Sequence, residues 1–528
     1  MSSRPPGRFV PAPLPAWELR LSYAVWIFHS LAAFVISYRV CHGPVGQWIQ
    51  HWLRPSDYVE GWKQDLADSE WLFYRNTIGQ LIVAYVIHSA SFNLSYRVAS
   101  PDGARLLQLV VGLVLHVWIT SPSCIVVLYA FASMAIAISF ACRSQIPAWI
   151  LCVSFILVAA DYVPFTKGDF SYYREFNMYL YGAIKILNIC INVSKNGHRP
   201  FNSDYVIEVI HYMTYLPYSM TLIVLYEEFH EQLAAKIERQ NNSTEHDSQR
   251  MAFSVRSNAI FAARLVFWAL FFDGILHFIP VSGLFSSPFT LINGLNGYEL
   301  SSLAYVAGQY FHVKYVVIFG VPSLFARIDG LVPPPPPICI SRVSRYSRMW
   351  RHFDAGLYSF LKNHVYIPLL SNPAIPKAGR PIALIAAFLV VLAWHGTKRH
   401  YIFWVSLSAF ELIIERIGIL IWETDKFQEV RRRIGEVWTR RVVALSMLGT
   451  VIPGIFGVFF FLGNDGIGET IFNKVLMDGL KGIINLDISV KDSVPTAGLV
   501  FFNLIVLGYF FNNVCLEPEN RERHVKSE

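Results

Sequence analysis

Apolar positions gather in long blocks along the chain, separated by short polar breaks. The blocks cover 20–41, 71–92, 104–121, 123–142, 147–163, 177–193 and 206–226. They resume at 258–281, 301–326, 381–397, 401–422, 441–463 and 497–515. A helix needs about 20 residues to cross the hydrocarbon core of a bilayer. These blocks therefore predict about ten to twelve transmembrane helices, with one or two weaker runs re-entrant or interfacial. Lipid offers no water to an unpaired backbone group, so only helices or closed barrels cross it. The period-2 alternation of barrel strands is absent. The expected fold is an all-α polytopic membrane protein.

Three breaks stand out. Residues 228–257 form the longest polar break. The stretch Glu423–Arg441 carries Arg431, Arg432, Arg433, Arg440 and Arg441. Lys and Arg concentrate in cytoplasmic loops, so this stretch is placed on the cytoplasmic side. The third, 327–380, is mixed. Five consecutive prolines, Pro333–Pro337, favour a polyproline II rod. Arg342, Arg345, Arg348 and Arg351 follow, then an amphipathic piece. This segment is too polar to span and too apolar to float free. It is expected to re-enter the membrane or lie at its surface.

Composition sharpens the class. The 528 residues are 54% hydrophobic and only 15% charged, with a mean hydropathy of +0.39. Soluble domains carry about a quarter charged residues. The net charge of +7 is scattered, without the basic stripe of a nucleic-acid binder. Most of the seven cysteines, among them Cys124, Cys142, Cys152, Cys190 and Cys515, lie in apolar runs. They read as buried small hydrophobes, and no spacing suggests zinc. Cys339, in "PPPPPICIS", stands apart. Arg4, Arg8 and Arg20 precede the first apolar run among several prolines. A retained first span is expected, not a cleaved signal peptide.

An ionisable group at the centre of a membrane helix costs about 2.5–3.5 kcal/mol on insertion scales, and each is a functional candidate. The candidates are Asp161, Asp273, His277, Lys314, Asp354, His395, Glu411, Glu415 and Arg416. Glu411, Glu415 and Arg416 read as interhelical polar pairing, and Asp273 as a partner for His277 one turn on. Lys314 reads as snorkelling from a helix end. His395, in "VLAWHGTKRH", has two readings. It is a buried histidine bonded to a neighbouring helix, or a general base suited to neutral pH. Asp354, in "WRHFDAGL", is either a salt-bridge partner for a nearby arginine or a second reacting group.

The string "MWRHFDAGLYSFLKNHVYIPL", followed downstream by "AWHG", resembles the core of the membrane-bound O-acyltransferase superfamily. Within it the resemblance is to the Hedgehog acyltransferase branch, the protein-cysteine N-palmitoyltransferases. "YFHVKYVVIFGVPSLFARIDGLVPPPPP" and "FFLGNDGIGETIFNKVLMDG" are similar as well. Retention of Asp354 together with His395 points to the protein-acylating branch. The resemblance implies transfer of a long acyl chain, palmitoyl from palmitoyl-CoA, to the N-terminal cysteine of a secreted, Hedgehog-like protein. His395 would be the base, and Asp354 would position it or the incoming ammonium. Trp350, Arg351, Trp394, Asn464 and Asp465 are the implied substrate-binding residues. The arginines at 342–351, with Lys362, Lys398 and Arg399, are candidates for CoA phosphates. The branch also implies haem b held through Cys339.

It further implies residence in the endoplasmic reticulum membrane or Golgi, contact with membrane lipids, a monomeric state and no nucleic-acid partner. The division expected is 1–200 as N-terminal helices, 201–516 as the catalytic core and 517–528 as a polar tail. Two departures accompany the likeness. Thr397, Lys398, Arg399 and His400 follow "WHG", and Asn464 is one residue out of register. The rival readings are an acyltransferase acting on a lipid or glycerol, an inactive regulator of the same fold, and a transporter. No internal repeat supports the last.

Overall fold

Side-chain caps set where several of the long helices begin. The computed structural model describes residues 12–163, 165, 168–195, 202–241, 246–286, 289–371, 379–463, 466–491 and 494–524. Helix α1 spans Ala16–His42 and α2 spans Ser69–Val98, where the Asp68 carboxylate accepts from Trp71 N. Ser100 and Ser121 cap α3 (Pro101–Ile119) and α4 (Pro122–Cys142) in the same way. Each of these two has proline at its first position, where the missing N–H has no helical partner anyway. Helices α5 (Ile146–Tyr162), α6 (Asp169–Lys195), α7 (Ser203–Thr214), α8 (Tyr226–Asn241) and α9 (His246–Ile275) follow. A reciprocal box of Asn296 and Glu299 opens α10, Gly297–Ile328.

Two short helices come next, α11 (Tyr346–His352) and α12 (Ala355–Leu361). Then come α13 (Gly379–His395), α14 (Arg399–Glu423), α15 (Asp425–Ser446), α16 (Leu448–Leu462) and α17 (Ala497–His524). Gly435 kinks α15 at a φ of 78°. Sheet is confined, among the described residues, to two antiparallel hairpins. In one Arg54 pairs with Gln64, and in the other Val490 pairs with Pro495.

Among the described residues, eight helices are long and apolar enough to cross a membrane. Two shorter apolar ones, Ile146–Ala159 and Gly379–His395, accompany them. This is an all-α polytopic membrane protein. The apolar run 206–226 is not a span. It leaves the helix after Thr214 and makes a 3-10 turn at Leu216–Tyr218, with Pro217 inside it. Irregular backbone at membrane depth is tolerated only inside protein. Here Lys185 Nζ donates to Tyr212 O at 2.7 Å, and the Tyr212 hydroxyl donates to Val224 O at 2.6 Å.

Three ionisable groups depart from their sequence readings. Lys314 does not snorkel, because it sits near the middle of α10 and is only 5% exposed. Asp273 and His277 do not pair. Asp273 takes Arg75 at 3.2 Å, and His277 meets the Ser56 hydroxyl at 2.8 Å. Asp273 thereby fastens α9 to α2, and His277, just past α9, is held by the segment between α1 and α2.

The polyproline stretch is tethered at its start. Asp329 accepts from the Tyr215 hydroxyl at 2.8 Å and from Asn93 at 3.2 Å. Lys236 donates to Asp329 O at 2.7 Å, and Gln232 exchanges two bonds with the Val332 backbone. At its far end Ile338 N donates to His352 O at 3.0 Å. The rod thus returns the chain onto α11.

Arginines gather at one end of the bundle. Arg441 grips Glu18 at 2.7 Å, and Arg440 donates to Ala12 O and Asn513 O. Arg345 and Arg348 meet Glu519 at 2.6 and 3.4 Å. Helix α14 starts at Arg399 and ends beside α15; its 25 residues make about 37 Å at 1.5 Å per residue. His395, on the turn before Arg399, therefore lies at the end of α14 away from α15.

Candidate active site

Helix α13 ends at His395 because Gly396 takes a φ of +99°. A side chain there would be strained, so glycine in "WHG" is required by the turn. The half-buried His395 ring lies among three aromatics. Trp404 is 5.0 Å away, Phe461 5.2 Å and Tyr401 6.1 Å, centroid to centroid. Its ring nitrogens have no hydrogen-bond partner among the described residues. The reading of a histidine bonded to a neighbouring helix is thus not what the geometry displays.

Asp354 sits at the junction of α11 and α12. Its carboxylate caps α12 by accepting from Leu357 N at 2.9 Å. No ion pair reaches it among the described residues, because the neighbouring arginines are spent elsewhere. Arg345 and Arg348 hold Glu519, and Arg351 is exposed over the Tyr358 ring at 5.9 Å. Phe353, the residue before Asp354, stacks on Phe311 at 5.4 Å and lies 5.9 Å from Tyr315. Gly356 must stay bare, since a Cβ there would sit 2.3 Å from Ile223 O.

Two aromatic paths join His395 and Asp354. One runs from His395 to Phe461, to Phe311 at 5.3 Å, and on to Phe353. The other runs through Trp404 to Trp350, stacked at 5.6 Å, one turn before Asp354. Trp350 also meets Phe388 edge-on at 5.2 Å. Trp394, half-buried, lies edge-on to Tyr181 at 5.1 Å. Tyr181 in turn is within electrostatic reach of Asp354 and Glu70.

Beside this shell lies a charged cluster that the sequence reading missed. Lys314 bridges Asp68 at 2.7 Å and Glu70 at 2.8 Å, while the Tyr315 hydroxyl donates to Glu70 at 2.9 Å. The signal was there in part: "DSEW" opens a span with two carboxylates, and a lone lysine sits inside another. Tyr181 offered no signal, being one tyrosine in an aromatic-rich run.

Asn464 and Asp465 lie outside the described residues. Their flank is placed beside the His395 turn, since Glu469 caps Gly466 N at 3.1 Å and meets Arg399 at 3.9 Å. Among the arginines and lysines expected to meet CoA phosphates, Arg345 and Arg348 are committed to Glu519. Arg342, Arg351, Lys362 and Lys398 remain exposed.

Cys339 is half-buried at the start of a 3-10 turn, Ile340–Arg342. Burial pushes its thiol up, with Arg342 working the other way. A cysteine that ligates haem iron does so as the thiolate, which burial opposes here, so this environment does not fit the group the resemblance implied. Among the described residues, no group of three or more His, Cys, Asp and Glu is placed to hold a metal ion.

Comparison with known proteins follows the same lines. The MBOAT, membrane-bound O-acyltransferase family, matches residues 67–453. Protein-cysteine N-palmitoyltransferase HHAT of Mus musculus is 24% identical over 476 residues, 88% of this chain and 94% of that protein. Protein-cysteine N-palmitoyltransferase Rasp of Drosophila melanogaster is 31% identical over 188 residues, 35% of this chain and 37% of that one. A Mus musculus HHAT-like protein is 24% identical over 405 residues, 74% and 76% of the two chains.

Proposed function

The chain belongs to the membrane-bound O-acyltransferase family, and on that premise we propose that it moves palmitoyl from acyl-CoA to the N-terminal amine of a protein beginning with cysteine. The acceptor class proposed is a secreted, Hedgehog-type signalling protein, met in the endoplasmic reticulum or Golgi. The observation that carries this reading is the shared aromatic shell around His395 and Asp354, each free of a competing ion pair among the described residues.

The chemistry needs little more. A thioester and an ammonium give an amide, a thiol and one proton. His395 takes the proton from the attacking nitrogen, which then bonds to the thioester carbonyl as the carbon–sulfur bond breaks. Asp354 faces the incoming ammonium with its carboxylate, in a setting where aromatic walls exclude water and strengthen the attraction. The nitrogen sheds its second proton to the departing sulfur, which leaves as CoA thiol, and the proton taken by His395 passes to solvent. The basic end of the bundle suits the CoA phosphates, and Arg342, Arg351 and Lys362 are the cations proposed for them. A secreted acceptor would enter from the side of His395, at the end of α14 away from α15.

Labelled palmitoyl-CoA with a peptide beginning in cysteine tests the proposal. His395→Ala should lose about 10²-fold or more in rate, the usual scale for a lost general base. Transfer to lysophospholipid or glycerol but not to the peptide would replace the protein acceptor by a lipid. Equal rates in wild type and His395→Ala would remove His395 from the chemistry.

A further inference from the structure

Glu415 is an acid within a helix of a membrane bundle that the proposed chemistry does not use. Among the described residues it makes no ion pair with Arg416 and no hydrogen bond with Glu411. Instead its carboxylate accepts from Ser347 N at 2.9 Å, and the Ser347 hydroxyl donates to it as well. Ser347 stands in the first turn of α11, where backbone N–H groups have no helical partner. The Glu415 carboxylate satisfies one such donor.

A second fastening lies one residue earlier. The Tyr346 hydroxyl and the Ser408 hydroxyl are 3.1 Å apart. Ser408 and Glu415 share a face of α14 with Trp404, since spacings of 4 and 11 residues return to within about 40° on a helix of 3.6 residues per turn. Trp404 is the residue that meets both His395 and Trp350. One face of α14 therefore touches the base at one end and holds the start of α11 at the other. Helix α16 makes room for the contact. A Cβ on Gly454 would come 3.2 Å from the Tyr346 ring and 3.0 Å from Glu411 Oε2.

Helix α11 carries Trp350 and leads, one residue past its C-cap, to Asp354. We propose that Glu415 is a positioning residue: by clamping the first turn of α11 to α14, it sets where Trp350 and Asp354 stand relative to His395. The inference rests on the proposed function only for its catalytic consequence. A misplacement of 1 Å in such a site costs about 10²-fold, and loss of one of two anchors should cost part of that.

The test compares wild type, Glu415→Ala and Glu415→Gln as full-length protein in detergent. Gln keeps an oxygen acceptor for Ser347, whereas Ala removes it. Hydrogen exchange over residues 346–361 reads the clamp without reference to activity. It should speed about tenfold in Glu415→Ala and stay near wild type in Glu415→Gln. With palmitoyl-CoA and the cysteine peptide, kcat should fall about 10-fold in Glu415→Ala with KM for both substrates within about twofold. Glu415→Gln should recover most of it. Unchanged exchange over 346–361 in Glu415→Ala overturns the clamp, and so does a fall in kcat that Gln fails to rescue. A wild type inert toward the peptide, with exchange responding as expected, would overturn the proposed function and leave the clamp standing.

Discussion

Lys314→Met tests whether the buried lysine is held by its two carboxylates or is incidental to them. The lysine side chain is 6% exposed, while those of Asp68 and Glu70 are 29% and 33% exposed. Breaking a fully buried pair by removing one partner costs about 3–5 kcal/mol, because the other charge is stranded. Here the stranded acids retain partial access to solvent, which screens them. A cost of about 2–3 kcal/mol follows, or roughly 30- to 150-fold in the folding equilibrium at 1.4 kcal/mol per factor of ten. The assay is the half-life of the detergent-solubilised protein at fixed temperature, since large membrane proteins seldom unfold reversibly. The decisive comparison is the triple variant Lys314→Met, Asp68→Asn, Glu70→Gln. It removes all three charges and should regain most of the lost half-life. A single Lys314→Met as long-lived as wild type would refute the reasoning, and so would a triple variant no better than the single.

Two further outcomes concern the reacting shell. Tyr181→Phe keeps the ring against Trp394 and removes only the hydroxyl; if that hydroxyl tunes the charge of Asp354, kcat in the acyl-transfer assay should drop about 10-fold with KM little changed, and an unchanged kcat would limit Tyr181 to packing. Gly396→Ala forces a side chain into a left-handed backbone at φ +99°. Left-handed backbone costs an L-residue about 1–2 kcal/mol, and a matching loss of thermal half-life should accompany a fall in activity as His395 is turned away.

Spans were legible because a bilayer imposes one rule on every residue of a helix, and that rule is written as block hydrophobicity. The 206–226 run shows its limit. Tyr, Met and Leu fill it as they fill a span, and Pro217 alone hints that the backbone leaves the helix and must be wrapped by protein. Lys314 departs from its local pattern for a different reason. Its partners lie about 245 residues away, so nothing local distinguishes a paired lysine from one that snorkels. The shell around His395 was hidden similarly, since Trp404 and Phe461 belong to apolar blocks where lipid-facing aromatics look the same. Asp354 and His395 were visible through a resemblance carried by a long string of residues. That Asp354 would cap α12 and stay clear of the arginines was not, because the string does not say that Glu519 takes Arg345 and Arg348.

The grip of Arg441 on Glu18 bears on how the protein is made. These residues are 423 positions apart, and the Tyr509 hydroxyl that also reaches Glu18 is farther still. During synthesis the first helix enters the bilayer carrying an acid whose guanidinium has yet to be translated. An unpaired acid in a membrane segment is costly, so early assembly must shelter Glu18 at the interface or with a helper until α15 and α17 arrive. Chain elongation at about 5–20 residues per second sets that wait at tens of seconds or more.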